Sequence, residues 1–140
     1  MVNIDHEIKI QASPEKIFKA FSNLDELKAW HTRYIDGNPE LNGILSFKGT
    51  EKPVFLWKVV QFEPNKLVAW ECIQGPGDSV GTKAIYTLSK TEDNRTLVEL
   101  SHTSWPDQKG NFRKCNTLWG ILLHHLKNYV ETGKAEPAIQ

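Results

Sequence analysis

His102 is the side chain whose place in the sequence most invites chemistry. It sits in an alternating run, Val98, Leu100, His102 opposite Glu99, Ser101, Thr103, so strand parity puts its imidazole on the apolar side. An imidazole there can orient a ligand hydroxyl or carbonyl, or take and give a proton near neutral pH. The alternative is a neutral ring satisfied by a backbone carbonyl or by solvent at the strand end. Tyr86 falls on the same inner side, where a phenol either packs or hydrogen-bonds a ligand. Trp57, Trp70, Trp105 and Trp119 offer flat walls to a planar molecule, or fill a core. Cys115 and Leu122 lie one turn to either side of Trp119 on a helical arc, which makes them candidates for the wall of a cavity. No neighbour in sequence lowers the pKa of Cys115, so nothing marks it as a nucleophile.

The other histidines read as structural or peripheral. His6 shares the apolar face of the first strand, and His31 forms a conceivable polar pair with Asp36 near a cavity mouth. His124 and His125 are neighbours on a helix, so their side chains diverge by about 100° and cannot chelate one ion. Cys72 and Cys115 lie outside any CxxC pattern and read as two reduced thiols rather than a disulfide or zinc ligands. No metal set is expected. There is no GxSxG, HExxH or phosphate loop, and Gly75, Gly77 and Gly81 do not match GxGxxG. Glu92-Asp93 and Asp25-Glu26 are turn and cap acids. No catalytic constellation emerges, and His102 is left as the one candidate for an acid–base group.

The elements that must position these residues are legible from periodicity. Val2 to Ile10 alternates without a fault as a strand with one wet face. Ser13-Pro14 starts a helix, with Ser13 as cap and Pro14 in the first turn. Ile17, Phe18, Phe21 and Leu24 recur at helical spacing, a break falls near Ser22-Asn23, and Leu27, Trp30 and Tyr34 extend the apolar face through a second short helix. Asp36 to Pro39 is turn chemistry. Strands follow around Leu41 to Phe47, Val54 to Phe62, Leu67 to Ile73, Thr82 to Leu88 and Val98 to His102, joined as an antiparallel meander. In Val54 to Phe62 apolar residues occupy both faces, so periodicity leaves open whether Trp57 points inward or where a bulge shifts the register. Phe112, Cys115, Leu118, Trp119, Leu122, Leu123, Leu126, Tyr129 and Val130 fall within an arc of roughly 140°, and Gly133 is placed to end that helix. The layout predicts an α+β fold in which a curved sheet of about six strands is closed by a long C-terminal helix. Residues 1–140 form one domain, with 135–140 a loose tail.

Composition bounds the function. The chain has 140 residues, with 17 basic and 17 acidic side chains that cancel. A globule of this length buries roughly 68% of its unfolded surface and needs no disulfide or metal to hold a core. Zero net charge leaves no surplus for displacing counterions, so nucleic-acid binding is not expected. The longest apolar stretch, Trp119 to Leu123, is far short of a membrane span, and the opening residues lack a secretory signal, which points to the cytoplasm.

The opening Ile8-Lys9-Ile10-Gln11-Ala12-Ser13-Pro14-Glu15-Lys16-Ile17-Phe18-Lys19-Ala20-Phe21, followed by Leu27 and Trp30, resembles the SRPBCC, or START-like, superfamily. More narrowly it resembles bacterial homologues of the C-terminal domain of the activator of the heat-shock-protein-90 ATPase. The closing run from Trp119 through Leu126-Lys127-Asn128-Tyr129-Val130-Glu131 to Gly133, and the hairpin at Pro64 with Leu67 and Trp70, carry the same likeness. The resemblance implies a helix-grip fold with a hydrophobic cavity between sheet and closing helix, and no cofactor. It transfers no catalytic set and leaves no room for the chaperone-binding domain of the eukaryotic activator. The expectation is a binder of a small hydrophobic or aromatic molecule, such as a lipid, polyketide or flavonoid-like compound, held by Trp57, Trp70, Tyr86, His102, Cys115, Trp119 and Leu122. The alternatives are a polyketide cyclase or dehydrase using His102, and a chaperone-associated protein acting through its surface. Either a monomer or a homodimer is compatible with the sequence.

Overall fold

The computed structural model describes residues 1–48 and 53–139. Strand β1 (Val2–Ile10) is followed by helices α1 (Pro14–Ser22) and α2 (Leu24–Trp30). Strands β2 (Ile35–Gly37), β3 (Ile44–Lys48), β4 (Pro53–Glu63), β5 (Leu67–Gln74), β6 (Lys83–Lys90) and β7 (Thr96–Trp105) lead to the long helix α3 (Asn111–Thr132). The strands form one antiparallel sheet in the order β1-β7-β6-β5-β4-β3-β2. The helix-grip arrangement expected from the sequence is present, with seven strands rather than six.

Local chemistry sets the helix boundaries. Ser13 Oγ accepts the Lys16 amide at 3.2 Å, Pro14 occupies the first turn, and Ile17, Phe18, Ala20 and Phe21 are buried. Asn23 ends α1 and caps α2, its Oδ1 accepting the Glu26 amide at 3.1 Å. At the far end Gly133 takes φ +77°, a left-handed conformation that ends α3, and donates its N–H to Tyr129 O at 2.7 Å.

The extra strand is β2, whose Asp36 and Gly37 fall in the stretch expected to be a turn. Ile35 pairs with Phe47 and Gly37 with Leu45. Gly37 has φ +114°, and a Cβ there would lie 2.0 Å from Ile44 O, so the turn residue is what lets the edge strand form. Tyr34 does not extend the apolar face of α2, because the helix has ended at Trp30 and Tyr34 is exposed.

Two register shifts explain why β4 has no clean period. Trp57 opposes Cys72 and Val59 opposes Trp70, both pointing inward; between Val59 and Gln61 the register slips, and Phe62 then faces inward opposite Val68. The other shift in β4 falls between Leu56 and Trp57. A separate irregularity, where β7 runs out along β1, sits beside Ser104 at φ +72° and turns Trp105 to the inside after Leu100 and His102.

The C-terminal segment is not loose among its described residues. The amides of Glu136, Ala138 and Ile139 donate to the carbonyls of Ala29, Trp30 and His31 at 2.9, 2.9 and 3.0 Å. These are carbonyls at the end of α2, which a helix cannot satisfy internally. His125 Nδ1 also donates to Glu136 O at 2.6 Å. No apolar period announces this docking, because its bonds are made by the main chain.

Candidate functional site

Paired strand positions lay side chains across the concave face in rows. One row runs Ile4, His102, Ala84, Trp70, Val59. Toward α1 the next runs His6, Leu100, Tyr86, Val68, Phe62. On the other side Cys72, Trp57 and Leu45 stand in line.

The row nearest α1 is filled from above. Phe18 meets Phe62 at 5.1 Å between ring centroids, and Phe21 lies 4.2 Å from Tyr86 and 6.3 Å from Trp70. Trp30 closes on Phe21 at 5.4 Å and anchors itself by donating its indole N–H to Ala20 O at 2.9 Å. Tyr86 and Trp70 have no exposed surface, and neither the Tyr86 hydroxyl nor the Trp70 Nε1 has a hydrogen-bond partner. Burial pushes the Tyr86 phenol well above its ordinary pKa.

Beyond Trp119 the hollow is open. A cavity of about 230 Å³ is walled by Phe47 and Lys48 of β3, Phe55 and Trp57 of β4, and His102 of β7. From the other layer come Cys115, Leu118, Trp119 and Leu122 of α3, His31 and Thr32 at the end of α2, and Ile139 of the docked C-terminal segment. Of the residues expected from sequence, Trp57, His102, Cys115, Trp119 and Leu122 meet at this cavity. Trp70 and Tyr86 do not line it; they belong to the packing under α1. Trp105 is also buried away from it, against His102 at 4.8 Å and Phe112 at 6.0 Å. Phe47 and Leu118 were recoverable from their strand and helix periods, whereas Ile139 carried no signal.

His102 is fully committed. The indole N–H of Trp119 donates to its Nδ1 at 2.9 Å, which places the ring proton on Nε2. Nε2 donates to Thr82 Oγ1 at 2.8 Å, and Thr82 passes its own proton toward Ser79 O at 2.6 Å. Burial lowers the pKa of the imidazole to about 4, so it is neutral at pH 7 with no free lone pair and no uncommitted proton.

His31 is the opposite case. Only 4% of its surface is exposed, its ring lies between Trp30 at 5.3 Å and Phe47 at 4.6 Å, and its Nδ1 has no partner. Burial lowers its pKa to about 3. The pairing with Asp36 considered from the sequence is not the one made, since Asp36 Oδ1 accepts the Gly37 amide at 2.9 Å.

The cysteines remain free thiols. Burial raises the Cys72 thiol and pushes Cys115 up to about 11, so neither is a thiolate near pH 7. Among the described residues no three His, Cys, Asp or Glu side chains are grouped to hold a metal, and no helix is long and apolar enough to cross a membrane.

Residues 11–131 match the family model described as activator of Hsp90 ATPase homolog 1-like protein. Among solved structures, the Aha1 dimer from Colwellia psychrerythraea shares 36% identity at a TM-score of 0.85, covering 96% of this chain and 99% of that one. The protein SSP2350 from Staphylococcus saprophyticus superposes at a TM-score of 0.78 with 18% identity, over 99% of this chain and 98% of its own. CalU16 from Micromonospora echinospora superposes at 0.78 with 16% identity, over 96% of this chain and 76% of its own. The last two likenesses concern the fold alone. No match was found among curated proteins.

Proposed function

The chain belongs to the activator of Hsp90 ATPase homolog 1-like family, and from that premise we propose that it binds a small uncharged aromatic molecule in the cavity between the sheet and α3. The observation that carries this reading is the cavity itself: about 230 Å³ walled by the rings of Phe47, Phe55, Trp57 and Trp119. Apolar walls with few polar groups are the usual makeup of small-molecule sites. A dry cavity of roughly 150 Å³ holds benzene, so the space here suits one or two fused rings and not an extended lipid chain. That narrows the class expected from sequence.

The acid–base alternative has less support. His102 has a donor on one nitrogen and an acceptor on the other, so it would have to break a bond to Trp119 or Thr82 before moving a substrate proton. A homodimer is favoured by the Colwellia Aha1, which is 36% identical and described as a dimer; sedimentation at micromolar concentration tests it, and a purely monomeric boundary rejects it.

The binding reading is tested by titrating one- and two-ring aromatics while following the indole NMR signals of Trp57 and Trp119 and the melting temperature. Saturable shifts at both indoles with a raised melting temperature are expected. A panel that moves neither signal rejects the proposal.

A further inference from the structure

We propose that His31 is the polar anchor of this cavity and selects an aromatic ligand that carries a hydroxyl group. The inference rests on the binding reading above and names the chemistry that reading leaves open.

The other buried polar side chains of the described wall, His102 and Thr32, already hold hydrogen bonds. Both nitrogens of His102 are bonded, and Thr32 Oγ1 accepts the Tyr34 amide at 3.3 Å. His31 lines the same cavity, is almost wholly buried, and has an Nδ1 without a partner. Such a nitrogen is unfavourable where it stands, and a ligand group that pairs with it recovers that loss. Nδ1 has essentially no accessible surface in the orientation shown, so a ligand group reaches it only when the ring turns.

The main chain at residue 31 is pinned on both sides. Its N–H donates to Leu27 O at 2.9 Å, and its carbonyl accepts the amide of Ile139, itself part of the wall, at 3.0 Å. The freedom left to the side chain lies in the ring torsion, a soft one, which exchanges Nδ1 with Cδ2 across the ring. A ligand hydroxyl meeting the ring can therefore be reached without moving the helix end.

A hydroxyl fits because it both donates and accepts, so it satisfies Nδ1 in either tautomer. A carboxylate or an ammonium does not fit beside a ring that burial keeps neutral, with a pKa lowered to about 3. The cation of the described wall, Lys48, is exposed.

Naphthalene, 2-naphthol and 2-naphthoate form the probe set, with binding measured by calorimetry on the native chain and on His31→Phe, which keeps an aromatic ring between Trp30 and Phe47. The native chain is expected to bind 2-naphthol about tenfold more tightly than naphthalene, the size of one net hydrogen bond. In His31→Phe that preference is expected to vanish while naphthalene affinity is retained. On the native chain, the ¹⁵N resonance of His31 Nδ1 should shift with 2-naphthol and not with naphthalene, a readout that does not depend on the variant folding. Equal or weaker binding of 2-naphthol by the native chain overturns the proposal, as does a preference that survives in His31→Phe. Tighter binding of 2-naphthoate also overturns it and moves the anchor to Lys48. Naphthalene binding without a hydroxyl preference sinks this inference alone, whereas failure of all three probes removes the binding reading with it.

Discussion

Under α1, the concave face of the sheet is packed solid: Phe21 drops onto Tyr86 and Trp70, and none of the three has exposed surface. Under the first half of α3 the same face is equally aromatic, yet Phe47, Phe55, Trp57 and Trp119 surround a void of about 230 Å³. The difference is not in composition but in what descends from the helices. α1 contributes Phe18 and Phe21, whereas α3 contributes Trp119, which spends its indole on His102 and leaves the space beside it unfilled. Two buried histidines line the cavity, one with both ring nitrogens bonded and one with an Nδ1 that has no partner. Aromatic content alone therefore does not distinguish a core from a site; the helix side chains opposite do.

The largest effect should come from acid, because both histidines are buried neutral. Their ordinary pKa of 6.5 falls to about 3 for His31 and about 4 for His102. Below pH 6.5 the unfolded chain binds protons that the folded chain does not, so stability is full above that value and falls as the pH drops toward the folded pKa values. Between pH 6.5 and 4.5 the two rings together should remove about 4–5 kcal/mol, the slope of each ring rising from half to nearly all of about 1.4 kcal/mol per pH unit as the unfolded chain takes up its protons. Urea unfolding at the two pH values measures the loss, and His31→Phe should retain only the His102 share. An acid-insensitive protein would mean that one of the rings is not neutral and buried as described.

Truncation in the two regions should separate them next. Phe21→Ala should cost about 4 kcal/mol, since it opens a cavity among Tyr86, Trp70 and Trp30 where nothing is free to collapse. Leu118→Ala, which enlarges a cavity already present, should cost about 1 kcal/mol, mainly the lost transfer of its methyl groups. Equal penalties in denaturant unfolding would erase the distinction between packed and open ends.

Most of the frame was legible because it follows from period and capping. Ser13-Pro14, the Asn23 break and Gly133 mark helix ends by their own chemistry, and strand and helix parity put His102, Cys115, Trp119 and Leu122 on faces that line one cavity with Trp57. What escaped was decided by contacts between distant segments. Parity placed Tyr86 and Trp70 on the inner face correctly, but only the arrival of Phe21 determines that they are covered. His31 was read against Asp36, its sequence neighbour, whereas the fold seats it between Trp30 and Phe47. The docking of Glu136 to Ile139 leaves no trace in side-chain pattern, because backbone amides make it.

A smaller effect should come from converting one histidine into the other kind. Trp119→Phe keeps the ring against Tyr86 and removes the N–H that satisfies His102 Nδ1. The exposed lone pair should cost about 1–2 kcal/mol and raise the His102 pKa back toward its ordinary value, since a proton on Nδ1 no longer collides with a donor. NMR titration of the imidazole reads this directly. An unchanged pKa would show that burial alone, and not the Trp119 bond, holds the ring neutral.

The smallest effect tests the packed end. The Tyr86 hydroxyl is buried without a partner, so Tyr86→Phe removes an unsatisfied group and leaves the ring against Phe21. Stability should stay within about 0.5 kcal/mol or rise, the reverse of the loss expected when a bonded hydroxyl is deleted. Affinity for a cavity ligand should not change, because Tyr86 does not line the cavity. A drop in affinity with stability unchanged would return Tyr86 to the ligand contacts that its strand parity first implied, and would mean that the packing of Phe21 yields when a ligand enters.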